Sequence, residues 1–355
     1  MIDFQYQALP WNILFKPGAI KELPEQLNKL GYKRALILST PQQADQANNL
    51  AQMLGALSTG VFSDAVMHVP FETVTAAMAV VDEVKADCSI SIGGGSTTGL
   101  GKALALKSDL PNIAIPTTYA GSEMTNIWGI TEDGRKTTGR DVRVVPNLTI
   151  YDPELTLSLP AHIAGPSGLN AMAQAVVNVA TTNSNPIVKA LAIDAIRALS
   201  SSLPLIIKEP DNLDARSSML YGACLAGSAL GTGTTSLHHR LCHTFGGSFN
   251  TPHAETHTVL LPHCVAYNAA ATAEGTRQLA EALGVEDAAI GLFELAKTVG
   301  APGALKDIGV KESDLDEAVN IATEKELANP EPVTKERLRA LLENAFHGNA
   351  PVAIS

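Results

Sequence analysis

The sequence has few basic residues relative to acidic ones. Its 355 residues include 25 Lys and Arg against 36 Asp and Glu, which gives a formal net charge of −11. Nucleic acids and anionic membrane surfaces are bound by basic patches, so this balance argues against both as partners. An acidic small molecule would have to be bound by Lys and Arg concentrated in one place.

Cysteines and long apolar runs are also scarce. The four cysteines, Cys88, Cys224, Cys242 and Cys264, form no CxxC pair, which is typical of reduced thiols in a cytoplasmic protein. The N-terminus lacks the basic and apolar segments of a secretory signal, and no uninterrupted apolar run approaches the ~20 residues of a membrane span. We therefore expect a cytoplasmic protein.

The chain is long enough for two domains, and its two halves differ in pattern. Apolar runs at 34–40, 89–97 and 112–118 alternate with helical patterns at 74–86 and 99–106. This alternation predicts a parallel sheet covered by helices on its faces.

From about Ala161 onward, long Ala- and Leu-rich stretches dominate and no convincing strand is present. The second half is therefore expected to be all-helical. We expect an α/β domain over 1–157 and a helical domain over 158–355, with the cleft between them as the default site.

A glycine-rich loop follows the apolar run at 89–97. In "SISIGGGSTTGLGKA", Gly93, Gly94 and Gly95 lie after a predicted strand and before a predicted helix. Backbone N–H groups of such a loop, with the helix N-terminus, are suited to phosphate. The spacing matches neither standard nucleotide fingerprint, and a simple tight turn is the alternative.

A second polar loop, "IPTTYAGSEMT", follows the next predicted strand. Ligands of open α/β sheets lie beyond the carboxyl ends of the strands, so the two loops would bracket one phosphate-bearing cofactor. Helix capping is the alternative role for each hydroxyl. The candidate hydroxyls are those of Thr117, Thr118, Ser122 and Thr125.

Four of the nine histidines lie in the sixteen residues "HHRLCHTFGGSFNTPH", 238–253. His239 and His243 are four residues apart and would share one helix face, and His253 follows a Gly-Gly break. Such a density of imidazoles suggests a metal site, a proton relay, or a metal site that has lost its metal.

Taken together, the motifs resemble those of the iron-containing alcohol dehydrogenase superfamily and, within it, the maleylacetate reductase family. The likeness runs nearly end to end. It rests on "SIGGGSTTGLGKALAL", "TYAGSEMT", "KTTGRD", "SGLNAMAQAV" and "LHHRLCHTFGGSFNTPHAETHTVLLPH". The resemblance implies a Rossmann-like α/β N-terminal domain and an all-α C-terminal domain, a dehydroquinate synthase-like fold, and a homodimer.

The resemblance also implies a nicotinamide dinucleotide. It places the pyrophosphate on Gly94, Gly95, Ser96 and Thr97. It places the ribose and nicotinamide on Thr117, Thr118, Ser122 and Lys136, and the adenosine ribose near Thr40 to Gln42. No acidic residue ends the strand before Thr40, so both NADH and NADPH are expected to be accepted.

Metal-dependent members of the superfamily hold a cation with Asp and His four apart on one helix and with two later His. Here the later pair matches His239 and His253, but the earlier positions hold Asn170 and Gln174. Carboxamide oxygens are weak ligands for divalent iron or zinc. We therefore expect no tightly bound metal. A helix-face amide bound to neighbouring backbone is the alternative role for Gln174.

The implied reaction is the NAD(P)H-dependent reduction of maleylacetate to 3-oxoadipate in the catabolism of aromatic compounds. Such chemistry needs a proton donor, for which histidine is suited near neutral pH. His243 is the first candidate and His253 the second. His238 and His257 are candidates for hydrogen bonds to substrate oxygens, and His239, Asn170 and Gln174 would also line the substrate. A structural histidine is the alternative in each case.

A dicarboxylate substrate needs positive charge, and the segment 134–143 concentrates it. Arg135, Lys136, Arg140 and Arg143 accompany a single Asp141. Such a cluster of charged residues is more often the solvent-exposed tip of a hairpin. The resemblance favours Lys136 and Arg140 as substrate ligands.

Two other functions stay open at this stage. One is a metal-dependent alcohol dehydrogenase of the same superfamily. The other is a catalytically weak homologue that binds nucleotide, which Gln174 motivates.

Overall fold

The computed structural model describes residues 3–133, 135–182 and 185–354, which form two compact units. One unit runs from Ala8 to Leu159. The other starts at Pro160 and includes the N-terminal segment that ends at Gln7. The first unit carries the sheets and the second is helical.

The N-terminal unit alternates strands and helices as its sequence pattern predicts. Its strands are β1 (Ile13–Phe15), β2 (Ala35–Leu38), β3 (Ser58–Phe62), β4 (Cys88–Gly93), β5 (Asn112–Pro116), β6 (Ile127–Glu132), β7 (Arg135–Arg140) and β8 (Leu148–Tyr151). Its helices are α1 (Leu23–Leu30), α2 (Ala44–Leu54), α3 (Phe71–Val84) and α4 (Gly95–Ser108).

Six strands form one sheet in the order β1-β8-β5-β4-β2-β3, and every neighbouring pair is parallel. Strand β2 shows why both faces are covered. Its Leu36 and Leu38 pack into one core with α3 and α4, while Ala35 and Ile37 pack into another with α1 and α2. Successive side chains of a strand point to opposite faces, so a continuous apolar run requires helices on both. The predicted parallel α/β domain is confirmed.

Strands β6 and β7 form a separate antiparallel hairpin. Ile130 and Trp128 pack on the core formed with α3 and α4. Ile127, Gly129 and Thr131 therefore occupy the opposite face of the hairpin, together with their partners across the ladder.

The described residues of the other unit contain helices and no strand, as the sequence predicts. The helices are α5 (Ala161–Val179), α6 (Pro186–Lys208), α7 (Leu213–Thr232), α8 (Leu237–Ser248), α9 (His253–Asn268), α10 (Ala273–Leu283), α11 (Ala288–Thr298), α12 (Leu315–Thr323) and α13 (Lys335–His347).

By length and composition alone, α6 is apolar enough to cross a membrane, and no other described helix is. It carries Lys189, Asp194 and Arg197, and it packs along α5, α7 and α10. Its buried residues recur every three or four positions, as on a helix that covers a core.

The helices that carry the histidines are fixed by a large apolar core. Leu237, Leu241 and Phe245 of α8 pack with Leu260 of α9 and with apolar residues of α12 and α13. This packing sets the register between α8 and α9, and with it the positions of the histidines on both helices.

Candidate active site

The glycine loop connects β4 directly to α4. Gly93 has φ +149°, and a Cβ there would lie 2.6 Å from both Gln43 Oε1 and Thr97 Oγ1. A Cβ at Gly94 would lie 3.1 Å from the Thr118 side chain, whereas at Gly95 the nearest atom is 3.7 Å away. Position 93 therefore requires glycine, because the positive φ and the close neighbours exclude a side chain. The exposed Gly95 leaves open space at the N-terminus of α4.

The loops after β4 and β5 lie side by side. Thr117 N donates to Gly93 O at 2.9 Å, and Thr118 borders Gly94. Thr97 Oγ1 is buried and has no hydrogen-bond partner among the described residues, while Ser96 and Thr118 are half-buried. The two loops together offer backbone amides and hydroxyls of the kind that bind phosphate and ribose oxygens.

Gln43 belongs to this set and was missed from the sequence. Its Nε2 donates to Thr117 Oγ1 at 2.8 Å, and Thr40 Oγ1 donates to Gln43 Oε1 at 3.4 Å. Gln42, which was predicted instead, is exposed. The signal lay in Pro41, which opens a 3₁₀ turn over Pro41–Gln43 and so directs Gln43 towards the loops.

Lys102 is a second residue that was missed. It is buried in α4, and its Nζ donates to the carbonyl oxygens of Ser122, Thr125 and Ile127. Burial lowers the pKa of Lys102 to about 7, and the charge of Glu123 opposes that shift. Lys102 thus ties the helix of the glycine loop to the loop after β5. A lysine within the apolar stretch "GLGKALAL" was the available signal.

The predicted basic segment lies on β7 and the residues after it. Arg143 is neutralised by Asp141 at 2.7 Å and Asp109 at 2.9 Å. Lys136 is half-buried and makes no ion pair with any described residue. Its side chain passes over Gly129, where a Cβ would lie 2.9 Å from Lys136 Cε. Burial lowers the pKa of Lys136.

Lys136 and Arg140 share the hairpin face that turns away from the apolar core, because their ladder partners are Thr131 and Ile127. Arg140 also donates to Asn126 Oδ1 at 3.1 Å. The structure therefore places these two predicted cations on the same face of the hairpin, and it pairs Arg143 with Asp141 and Asp109.

In the helical unit, Asn170 and Gln174 lie one turn apart on α5, and both are buried. Asn178, a further turn along, donates to Gln174 O at 3.0 Å and accepts from Thr234 N at 3.1 Å. Asn178 thus fixes the segment that leads into α8, a role that its sequence context did not indicate.

The predicted histidines gather where α8 packs on α9. His238 Nε2 and His257 Nδ1 are 2.9 Å apart, a hydrogen-bond distance. The ring of His239 lies 5.4 Å from each of these two rings, and the ring of His253 lies 4.5 Å from that of His257. The ring of His257 is therefore in contact with the other three imidazoles.

Burial separates His238, His239 and His257 from the half-buried His243 and His253. It lowers the pKa of His238 to about 3 and the pKa of His257 well below its ordinary value, and neighbouring histidines add to both effects. Both are therefore neutral near neutral pH and act as hydrogen-bonding groups. His243 and His253 are half-buried. A charged imidazolium is more easily accommodated at these two positions.

Comparison with known proteins follows the same two units. The family described as iron-containing alcohol dehydrogenase matches residues 10–153, and its C-terminal counterpart, described as the Fe-containing alcohol dehydrogenase family, matches residues 165–346. A protein of Sphingobium indicum named maleylacetate reductase is 49% identical over 99% of both chains.

The chain belongs to the iron-containing alcohol dehydrogenase family, in its maleylacetate reductase branch.

Solved structures of this branch have the same fold. Maleylacetate reductase from Agrobacterium tumefaciens superposes with a TM-score of 0.94 at 47% identity, covering 99% of this chain and 100% of that one. Maleylacetate reductase from Rhizobium sp. strain MTP-10005 gives 0.93 at 48% identity with the same coverage.

The family name implies iron, yet the four positions that the resemblance assigns to metal ligands do not fit it in this chain. Two of the four positions hold the carboxamides Asn170 and Gln174, and the other two hold imidazoles, so no anionic ligand is present. Among the described residues, neither His239 nor His253 belongs to a group of three His, Cys, Asp or Glu ligand atoms close enough to share an ion. Iron and zinc sites ordinarily include carboxylate, thiolate or a third imidazole.

Proposed function

We propose that this oxidoreductase reduces maleylacetate to 3-oxoadipate with NADH or NADPH, as a step in the catabolism of aromatic compounds, and that it does so without a bound metal. The observation that carries the choice of reaction is the 49% identity over nearly the whole length to a maleylacetate reductase.

The N-terminal unit would bind the dinucleotide. The pyrophosphate would lie on the amides of Gly94 and Gly95 and the hydroxyls of Ser96 and Thr97. Thr117, Thr118 and Ser122 would contact the nicotinamide riboside, with Lys136 nearby, and Thr40 and Gln42 the adenosine ribose. Gln43 is added to this set because its amide already binds Thr117.

The absence of an acidic side chain at the end of β2 supports the use of both dinucleotides. Strand β2 ends at Leu38 and is followed by Ser39 and Thr40. An acidic residue at this position is what selects NADH by binding the ribose 2′-OH and repelling a 2′-phosphate.

The substrate carries its C=C conjugated to a ketone, which lets reduction proceed without a Lewis acid. Hydride from the nicotinamide adds to the alkene carbon β to the ketone, and the electron pair moves to the ketone oxygen as an enolate. A proton then adds to the neighbouring carbon, which gives the saturated keto-diacid and NAD(P)+. Hydrogen-bond donors are enough to stabilise the enolate.

The histidine cluster would supply both functions. The buried, neutral pair His238 and His257 suits hydrogen bonding to substrate oxygens, together with His239, Asn170 and Gln174. The proton would come from His243 or, as second candidate, His253, because these half-buried rings bear a charge at lower cost. Lys136 and Arg140 would bind a carboxylate of the substrate.

We further propose that the protein acts in the cytoplasm as a homodimer. The cysteines support the compartment, since all four are free and buried.

The reaction is tested by mixing the purified protein with NADH and maleylacetate and following absorbance and product together. We expect one NADH oxidised for each 3-oxoadipate formed, and activity with NADPH as well. NADH binding without turnover would instead identify a nucleotide-binding homologue of weak activity. Turnover of simple aldehydes but not of maleylacetate would identify an alcohol dehydrogenase.

A further inference from the structure

A second group of potential metal ligands lies in the histidine cluster, and it differs from the family's ligand positions. It consists of His238 and Cys242 on α8 and His257 on α9, and all three residues are buried. One ligand atom from each lies within 4.8 Å of the other two.

The helix geometry explains the grouping. His238 and Cys242 are four residues apart and therefore share one face of α8. That face packs on α9, where His257 faces them. The apolar core of Leu237, Leu241 and Phe245 fixes α8 in this position. The three side chains are thus held in place by the fold.

The ligand atoms lie close to the separations that a tetrahedral ion requires. With Zn–N and Zn–S bonds of ordinary length, ligand atoms are separated by about 3.3 Å for N···N and about 3.6 Å for N···S. Cys242 Sγ lies 3.7 Å from His238 Nε2, which matches. His238 Nε2 and His257 Nδ1 are 2.9 Å apart and would need to separate slightly.

We propose that His238, Cys242 and His257 form a binding site for a thiophilic divalent cation of the zinc type. On binding, Cys242 releases its proton to solvent and the cation replaces the hydrogen bond between the two imidazoles. One thiolate and two neutral imidazoles leave the site with a net charge of +1 and suit zinc better than the two carboxamides and two imidazoles of the family positions do.

The binding itself is independent of the proposed function, because it is measured without substrate. One consequence does rest on that function. Zinc would engage His238 and His257, which we propose to contact the substrate, so occupancy should inhibit maleylacetate reduction and a chelator should reverse the inhibition.

Cobalt(II) provides a direct test because it occupies zinc sites and reports sulfur ligation by colour. Protein freed of metal is titrated with cobalt(II), and the sulfur-to-cobalt charge-transfer band in the near ultraviolet is recorded. We expect the band to saturate at one equivalent and to be abolished by zinc. A wild-type protein that gives no such band would overturn the proposal.

Three variants locate the site. Cys242→Ser should remove the band and weaken zinc binding by more than about 10-fold, the lower end of the loss seen when even a supporting residue is removed. Cys264→Ser is the matched control, since Cys264 is buried in the same apolar core but lies outside the ligand group, and it should keep the band. His253→Ala, which alters a family ligand position, should also keep it. A band that survives Cys242→Ser, or that depends on His253, would contradict the assignment.

X-ray absorption of the zinc-loaded wild type tests the site without any variant, so the result does not depend on how the variants fold. We predict that zinc is coordinated by one sulfur and at least two nitrogen atoms. A shell of nitrogen and oxygen alone would refute the site.

Discussion

His238 and His257 are buried, as is His239, whereas His243 and His253 are half-buried. Burial holds His238 and His257 neutral, and their 2.9 Å hydrogen bond orients each ring. A neutral imidazole in an apolar environment is a hydrogen-bonding group and a poor source of protons at neutral pH. The proton donor is therefore expected among the half-buried histidines.

Replacement of His243 tests this division. His243→Ala should lower kcat by about 100-fold, the loss typical for a positioned acid, while the Kd for NADH changes little. Steady-state kinetics and NADH fluorescence titration measure the two effects separately.

His162→Ala provides the control for His243→Ala, because His162 is exposed on α5. It should retain the wild-type rate. Near-normal turnover by His243→Ala would move the role to His253, and the corresponding His253→Ala variant would then carry the loss.

A larger side chain at Gly95 should weaken cofactor binding without destabilising the fold. A side chain there has open space, with its nearest neighbour the Cβ of Ala120 at 3.7 Å. Gly95→Val should raise the Kd for NADH by tenfold or more, about 1.4 kcal/mol, because it covers amides that we propose bind pyrophosphate.

Gly303→Val is a matched control, because Gly303 lies in a loop of the helical unit and a Cβ there meets nothing within 4 Å. Both variants should keep the wild-type melting temperature. If NADH binds Gly95→Val as tightly as it binds the wild type, the loop is only a turn.

At the scale of whole elements, we propose that α5 determines whether the family metal can bind. Its residues from Ala164 to Val179 are buried. Asn170 and Gln174 lie at the two positions of this helix where the resemblance places Asp and His. A cation there would find neutral oxygens on α5 and neutral nitrogens elsewhere.

The double variant Asn170→Asp, Gln174→His should restore metal binding. One carboxylate and three imidazoles suit zinc or ferrous iron. Without metal, the buried carboxylate should lower the melting temperature. At a zinc concentration of 100 times Kd, binding should return about 2.7 kcal/mol of stability.

Calorimetric scans of the wild type and the double variant, with and without zinc, measure these shifts. Zinc bound at His238, Cys242 and His257 stabilises both proteins, so the shift due to the restored positions is the excess in the double variant. Maleylacetate reduction should be impaired in the loaded variant, because the cation would occupy space that we assign to substrate. A double variant that zinc stabilises no more than it stabilises the wild type would show that the amides are not what excludes the cation.

Elements with strong local signals were predicted well from the sequence. The strand before Gly93 and the helix after it follow from an apolar run and a glycine loop, and α6 follows from its periodicity. Helix α4 begins at Gly95, earlier than the pattern at 99–106 indicated, because Ser and Thr residues carry little periodic signal.

Contacts between distant segments were not predictable in the same way. Lys102 binds carbonyls twenty or more residues away, Gln43 binds Thr117, and His238 pairs with His257 across two helices. Each contact depends on packing between elements, and no local pattern encodes that packing. The cluster of histidines was visible in the sequence, but its internal hydrogen bond was not.

At the scale of the whole molecule, buried histidines make stability depend on pH. His263 is buried beside Phe293, and burial lowers its pKa from 6.5 to about 4. Between these values the unfolded chain binds more protons than the folded one, so stability is lost as the pH falls through this window. His238 and His257 act in the same direction.

Removal of the His263 imidazole should therefore make the protein more resistant to acid. His263→Leu should reduce the stability lost between pH 6.5 and 4.5 by about 2 kcal/mol, since each pH unit within the window is worth about 1.4 kcal/mol per histidine. Urea unfolding at a series of pH values measures the slope. A slope for His263→Leu equal to that of the wild type would show that the His263 ring is not held neutral.

The central claim is that this member of a family named for iron reduces its substrate without a metal. The most direct test is NADH oxidation with maleylacetate by protein purified without chelator, assayed before and after exhaustive dialysis against EDTA, with metal content determined on both samples. We predict a rate that does not fall after dialysis, in protein from which iron and zinc have been removed. Activity that is lost with the metal and restored by adding iron or zinc would contradict the account.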